Sequence, residues 1–289
     1  VMADLLDNVY EHAAEDPDFR AFVDTQGMGR SDDRVPKLIL NFYEQARCHL
    51  DPEKWLDKCI QDADVSAVSD ASETVWGRFL MEDLFSWLRL QADAFRRCAA
   101  MCDRAAAPEK YGAFLLGIAS MLDNLCTLTG WDELVRSLHF KFPTVPRKTK
   151  AEPLEGEAEE MWGRAYFYYN KFKDDFTKVK IRPFCNDSAQ TLKDLAQSTA
   201  SARGLVELVR RFSAAYAKLK RGMHVADFGD LEHFALDLLL GKSRSMTTAA
   251  AREIAGRFRE IMVDEYQDTN EVQDCIFGAL TEARQNLFM

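Results

Sequence analysis

Apolar residues recur at spacings of three and four through most of this 289-residue chain, the period of helices with one buried face. Leu5, Leu6, Val9 and Tyr10 predict a helix from Asp4 to about Glu15, broken by Asp16-Pro17. Phe19, Phe22 and Val23 predict a short helical piece, and Gln26 to Ser31 a loop. Ser31 or Asp32 then caps a helix to about Cys48 carrying Leu38, Leu40, Phe42 and Tyr43. Asp51-Pro52 opens the next, with Asp as cap and Pro in the first turn. From Ser72 to Ala107 only Gly77 interrupts, at a cost of about 1 kcal/mol. Trp76, Phe79, Leu80, Leu84, Trp87, Leu88 and Phe95 make a broad apolar face there. Tyr111, Phe114, Leu115, Ile118, Met121, Leu122 and Leu125 form a second stripe after Pro108, and Trp131 begins a shorter helix.

The pattern lapses between Phe140 and Glu160. Three prolines, a basic run and then five glutamates predict an exposed, mobile loop. Lys141, Arg147, Lys148 and Lys150 there can contact a nucleic-acid backbone, or simply face water. A helix from Met161 to about Ile181 interleaves seven aromatics with Lys171, Lys173, Lys178 and Lys180, and Arg182 follows. That mixture suits a nucleic-acid grip or an amphipathic helix with a wet basic face. Asn186 to Arg221 predicts a long helix, Gly222 to Ala226 a turn, and Asp227 or Asp230 the cap of a helix to Leu240. Thr247 or Thr248 caps another, running to about Phe258.

The period changes at Ile261-Met262-Val263. This triplet predicts a short buried strand of a parallel sheet, followed at once by Asp264 and Glu265. Residues after such a strand stand at the carboxyl edge of the sheet, where α/β proteins bind ligands. Asp264 can hold a hydrated Mg²⁺ through its water shell, and Glu265 can polarise a water attacking a phosphoryl group. A helix N-terminus with acids in its first turn would give the same three residue types. A helix from about Glu271 to Ala283 follows, and then a strand at 286–289. A strand at 261–264 needs a neighbour to pair with, since bare strand edges are costly or sticky. It is expected to pair with a second copy, pack irregularly, or pair with residues 286–289.

The longer pattern Asp264-Glu265-Tyr266-Gln267-Asp268-Thr269-Asn270, with Gln273, closely resembles motif II of the UvrD-like superfamily 1 helicases. Phe22-Val23-Asp24, Gly27, Arg30-Ser31-Asp32-Asp33, Leu38-Ile39-Leu40, Tyr43, Ala46-Arg47 and Asp51 to Leu56 resemble the AddA family of helicase/nucleases. So does Asp227-Phe228-Gly229-Asp230-Leu231-Glu232. The resemblance implies a mainly α fold: a multi-helix 1B-type insertion over 1–221, then a truncated piece of a RecA-like α/β motor over 222–289. It implies an internal fragment of an ATP-dependent DNA helicase, 3′ to 5′, acting in double-strand-break repair. It also implies ATP and Mg²⁺ as cofactors of the parent, with none in the fragment. The implied partners are DNA and an AddB-like nuclease. Asp264 would serve Mg²⁺ and Glu265 the attacking water, with Gln267 and Asp268 coupling the nucleotide site to neighbouring motifs. The Walker A loop would lie upstream of Val1 and the third motif just past Met289. Without that loop the fragment is expected to hydrolyse no ATP. Gly241-Lys242-Ser243 mimics the end of such a loop, but the glycine required at 236 is Leu236, and a helix precedes it. The alternative is a non-enzymatic helical module that binds duplex DNA or a protein partner.

Charge and cysteine content narrow this further. A net charge of −10 argues against a generic nucleic-acid binder. Residues 1–110 hold 22 acids against 13 Lys and Arg, whereas the remaining 179 hold 25 against 24. The basic clusters therefore lie in the nearly neutral part. Seven scattered cysteines without a CxxC pair predict reduced thiols in a cytoplasmic protein. No apolar run approaches the ~20 residues of a membrane span.

Overall fold

The computed structural model describes residues 1–11, 15–26, 34–241, 243–244, 246–281 and 286–288. The loop expected at Gln26 to Ser31, the cap at Ser31 or Asp32, and Lys242 of the false phosphate loop lie outside the described residues, Gln26 excepted. The chain is mainly helical, and packing divides it into two compact units: Val1–Asp64 with Gln197–Met289, and Val65–Ala196. This is a partition by contact, distinct from the partition at residue 221 that the family resemblance implies.

The first unit opens with α1 (Met2–Glu11), α2 (Pro17–Gln26), α3 (Arg34–Arg47) and α4 (Pro52–Ala63). Asp51 caps α4 by accepting the Lys54 N–H at 3.2 Å, as its sequence predicts. Val9, Phe19, Phe22, Val35, Ile39 and Leu56 form one core with Val206, Val209 and Phe212 of a long helix described below.

The second unit is built on α5 (Val75–Arg104) and α6 (Glu109–Leu125). Leu84, Leu88, Phe95, Tyr111, Leu115, Ile118 and Leu122 close the seam between these helices. α7 (Trp131–Leu138) and α8 (Gly156–Asp175) complete it. Trp131 is buried, its ring lies 4.9 Å from Phe184, and its Nε1–H donates to the Asn186 carbonyl at 3.0 Å. α8 runs into a wider turn at Phe176–Lys180 that turns Phe176 into the core.

Three expectations for this unit change. Trp76 and Phe79 are 53% and 66% exposed, so the apolar face of α5 is narrower than its composition suggests. The buried seam runs through Gly77, Met81, Leu84 and Leu88, and residues 76 and 79 stand beside it. Second, the stretch before α8 has no regular structure, as expected, but it is tied down. Phe140, Phe142 and Val145 pack on the core, Leu154 is buried, and Lys110 binds Glu152 at 2.7 Å. Third, Gly77 is required rather than tolerated. Thr74 caps α5 and donates to the Ala71 carbonyl at 2.7 Å, which folds a 3₁₀ turn against the helix. A Cβ at 77 would lie 1.9 Å from the Ala71 oxygen. Gly77→Ala should therefore destabilise the protein by about 1–3 kcal/mol, although Ala is the better helix former. Urea unfolding that found it neutral or stabilising would contradict this packing.

α9 (Ser188–Met223) contributes residues to both units. Within the first unit it crosses α2 so closely that a Cβ at Gly204 would meet the Asp18 carbonyl at 2.3 Å. α10 (Phe228–Leu240), α11 (Ala249–Ala255) and α12 (Glu271–Thr281) then pack through Leu239, Ala251 and Ala279. Asp227 caps α10 in a reciprocal box with Asp230, and Thr248 caps α11.

β1 (Ile261–Met262) and β2 (Leu287–Phe288) form a parallel pair, with Ile261 opposite Leu287 and Met262 opposite Phe288. Of the three outcomes expected for β1, pairing within the chain is the one realised. Its expected burial is not: Met262 is 73% exposed and Phe288 55%. Among the described residues no third strand flanks the pair, so nothing covers those side chains.

Candidate functional site

β1 delivers Val263, whose N–H donates to the Phe288 carbonyl at 2.9 Å, and then the two acids. Asp264 and Glu265 follow at the carboxyl end of the strand, where the Glu265 side chain is exposed. Asp264 Oδ1 accepts the Glu265 N–H at 3.0 Å. Glu265 sits in the left-handed region at φ 52° and ψ 43°, a conformation that costs a non-glycine residue roughly 1–2 kcal/mol. It reverses the chain into a 3₁₀ turn, Tyr266–Asp268. Gln267 donates from Nε2 to Glu265 Oε2, and Asp268 is exposed beside it. Thr269 closes the turn, its hydroxyl donating to the Tyr266 carbonyl at 2.8 Å. Asn270 then caps α12 reciprocally: its Oδ1 accepts the Gln273 N–H at 2.8 Å, and its own N–H donates to Gln273 Oε1 at 3.4 Å. The Tyr266 hydroxyl donates to Asp274 on the first turn of α12, and that bond raises its pKa.

The motif therefore brings Asp264, Glu265, Gln267 and Asp268 together on one solvent-facing turn. The two carboxylates are hard oxygen donors, suited to the water shell of a Mg²⁺ ion. Among the described residues no group of three or more His, Cys, Asp or Glu could hold a metal outright. A groove of about 660 Å³ lies elsewhere, walled by Tyr43, Phe212, Tyr216 and Phe228, and neither acid lines it.

Behind the turn stands a polar network that local sequence reading did not reveal. Gln273 donates from Nε2 to Glu232 Oε1 on α10 at 2.8 Å. His49 Nδ1 lies 2.8 Å from Glu271 Oε2, and its ring stacks on Trp55 at 4.8 Å. Arg47 binds Asp230 at 3.1 Å, and Lys220 binds both Asp227 and Asp230. Burial lowers the Lys220 pKa, but the bonds from the two acids more than reverse it, and its pKa is raised. Burial likewise raises Asp227, and the bonds from Lys220 and the Asp230 N–H bring it below the ordinary carboxylate value. His233 donates from Nε2 to the Arg47 carbonyl at 3.0 Å, and burial lowers its pKa.

The predicted basic contacts divide into two sets. Lys148 pairs with Glu159, Lys178 with Asp174 at 3.1 Å, and Lys180 with Asp83 at 2.9 Å. Lys173 lies over the Phe142 and Tyr169 rings at 5.3 and 5.5 Å. Lys141, Arg147, Lys150, Lys171 and Arg182 are exposed, with no carboxylate partner among the described residues.

Comparison with known proteins decides the family. The UvrD/REP helicase N-terminal domain matches residues 90–289, more than half of the chain. The chain belongs to the UvrD/REP helicase family. An ATP-dependent helicase/nuclease subunit of Ruminiclostridium cellulolyticum is 28% identical to it over 301 residues. Proteins of the same description from Bacillus cereus (strain B4264) and Bacillus mycoides are each 29% identical over 299 residues. Each alignment covers 100% of this chain and 24% of the relative, so the chain spans about a quarter of the length of the curated relatives it matches. The likeness to helicase/nucleases read from the N-terminal run and motif II thus extends along the whole of this UvrD/REP-family chain. Among the described residues no helix is long and apolar enough to cross a membrane.

Proposed function

We propose that this chain is part of an ATP-driven DNA helicase motor, within the helicase/nuclease component of a cytoplasmic complex for double-strand-break repair. One observation carries the reading. A UvrD/REP-family chain ends a parallel strand in two adjacent acids, within Asp-Glu-Tyr-Gln-Asp-Thr-Asn. Asp264 would hold Mg²⁺ through water, and the ion would neutralise charge developing on the transferred phosphoryl group. Glu265 would orient the attacking water and accept its proton. Gln267, hydrogen-bonded to Glu265, and Asp268 would couple this site to neighbouring motifs. Residues 1–221 would be the 1B-type helical insertion and 222–289 a portion of the RecA-like motor domain. Translocation would run 3′ to 5′, and the partner would be an AddB-like nuclease.

The 289 residues contain no G-x-x-x-x-G-K-[ST] loop to cradle the β- and γ-phosphates. The chain alone should therefore hydrolyse ATP no faster than background. A longer protein carrying it together with such a loop should show DNA-stimulated hydrolysis and unwind a duplex with a 3′ single-stranded tail. If that protein is active on neither assay, the motor reading fails.

The five basic residues without acidic partners support a second reading, a helical module that binds DNA without chemistry. If all five meet phosphates, log affinity should fall against log salt with a slope of roughly −4 to −5. Fluorescence anisotropy with a labelled duplex measures this. A flat salt dependence would assign these residues to a protein contact or to solvent.

A further inference from the structure

The turn that carries Asp264 and Glu265 faces solvent, and most of its hydrogen bonds are local. At its start it hangs on the β1–β2 pair through Ile261 and Val263. At its end, the first turn of α12 reaches α10 through Gln273 and Glu232, and the α3–α4 junction through Glu271 and His49. Of these, the Gln273–Glu232 bond comes from the residue that also completes the Asn270 cap, so it acts on the point where the turn becomes helix. Glu232 is half-buried on a helix that is itself fastened by Arg47–Asp230 and by Lys220 with Asp227 and Asp230. A fixed acceptor meets a cap residue three positions beyond the turn.

We propose that Glu232 is a positioning residue for the reaction, holding Gln273 and through it the Asp264–Asn270 turn in the geometry that hydrolysis needs. This rests on the motor reading above and assigns a role to the Asp-Phe-Gly-Asp-Leu-Glu element. Asp227 and Asp230 fix the element to α3 and α9, and Glu232 carries that fixation across to motif II. Polar partners that orient the ligands of a metal commonly cost 10–100-fold in activity when removed, and Glu232 would act in the same way one residue further out. Glu232→Gln keeps an oxygen able to accept from Gln273, whereas Glu232→Ala removes it.

Two measurements test the assignment. In the 289-residue chain, hydrogen exchange should quicken on Glu232→Ala at the amides of Asp268, Thr269 and Gln273, which are bonded within the turn and cap. The α5 and α6 amides should keep their rates, and Glu232→Gln should behave as wild type. In the longer, ATP-hydrolysing protein, Glu232→Ala should lower kcat about 10–100-fold with little change in KM for ATP. Glu232→Gln should restore most of it, and Gln273→Ala should cost less in the Glu232→Ala background than in wild type. Unchanged exchange at the turn, an unchanged kcat, or equal loss in the Ala and Gln variants would overturn the proposal. If Glu232→Ala does not fold, Glu232→Leu, which keeps most of the side-chain bulk without an acceptor, carries both measurements on the same terms. A wild-type protein without ATPase activity would instead sink the motor reading, leaving the exchange measurement to judge the contact.

Discussion

Glu265→Gln should lower ATP hydrolysis by about 10²–10⁴-fold in a protein that joins this chain to a phosphate-binding loop. The substitution keeps the size of the side chain and its ability to accept a hydrogen bond from Gln267 Nε2. What it removes is the proton acceptor that the proposed mechanism requires. Nucleotide binding should survive, so a fluorescent ATP analogue should bind with near wild-type affinity while turnover stops. Asp264→Asn should differ in kind, raising the Mg²⁺ concentration needed for half-maximal rate, because it removes the anion that, in the proposed mechanism, would steady the ion's water shell. Comparable turnover in wild type and Glu265→Gln would show that another group activates the water.

The second large effect is on stability. Trp131→Ala should cost about 3–5 kcal/mol. The ring is 1% exposed and packs on Phe184, and its N–H is the donor found by the Asn186 carbonyl. Truncation leaves a cavity and an unmet acceptor at once. Trp131→Phe should recover part of the packing and none of the hydrogen bond, so its unfolding free energy should fall between the two. A loss under about 1 kcal/mol for Trp131→Ala would mean that the surrounding side chains collapse into the gap.

The sequence foretold what depends on near neighbours. The Asp51, Thr248 and Asp227 caps, the α6 stripe and the order strand–acids–helix at the site all follow from residues close together along the chain. It misled where distance decides. Gly77 looks like a weak helix residue until the Ala71 carbonyl is folded onto it. Trp76 and Phe79 look like core because hydropathy does not say which side of a 30-residue helix is covered. Ile261-Met262-Val263 looks buried because apolar runs usually are, yet burial needs neighbours, and β1 pairs only with β2 among the described residues. At the candidate site, the placement of Asp264 and Glu265 just after a strand was legible from the motif itself. The Glu232–Gln273 and Arg47–Asp230 bonds were not, since they join residues 41 and 183 positions apart.

The parallel sense of β1 and β2 has an electrostatic corollary. A chain that leaves one strand and re-enters beside it in the same direction must run back along the way, and here α12 makes that return. The amino end of α12 is thereby obliged to begin near where β1 stops. Its partial positive charge is met first by Glu271 and Asp274 of its own first turn, which steady that end of the helix and with it the close of the loop that follows β1.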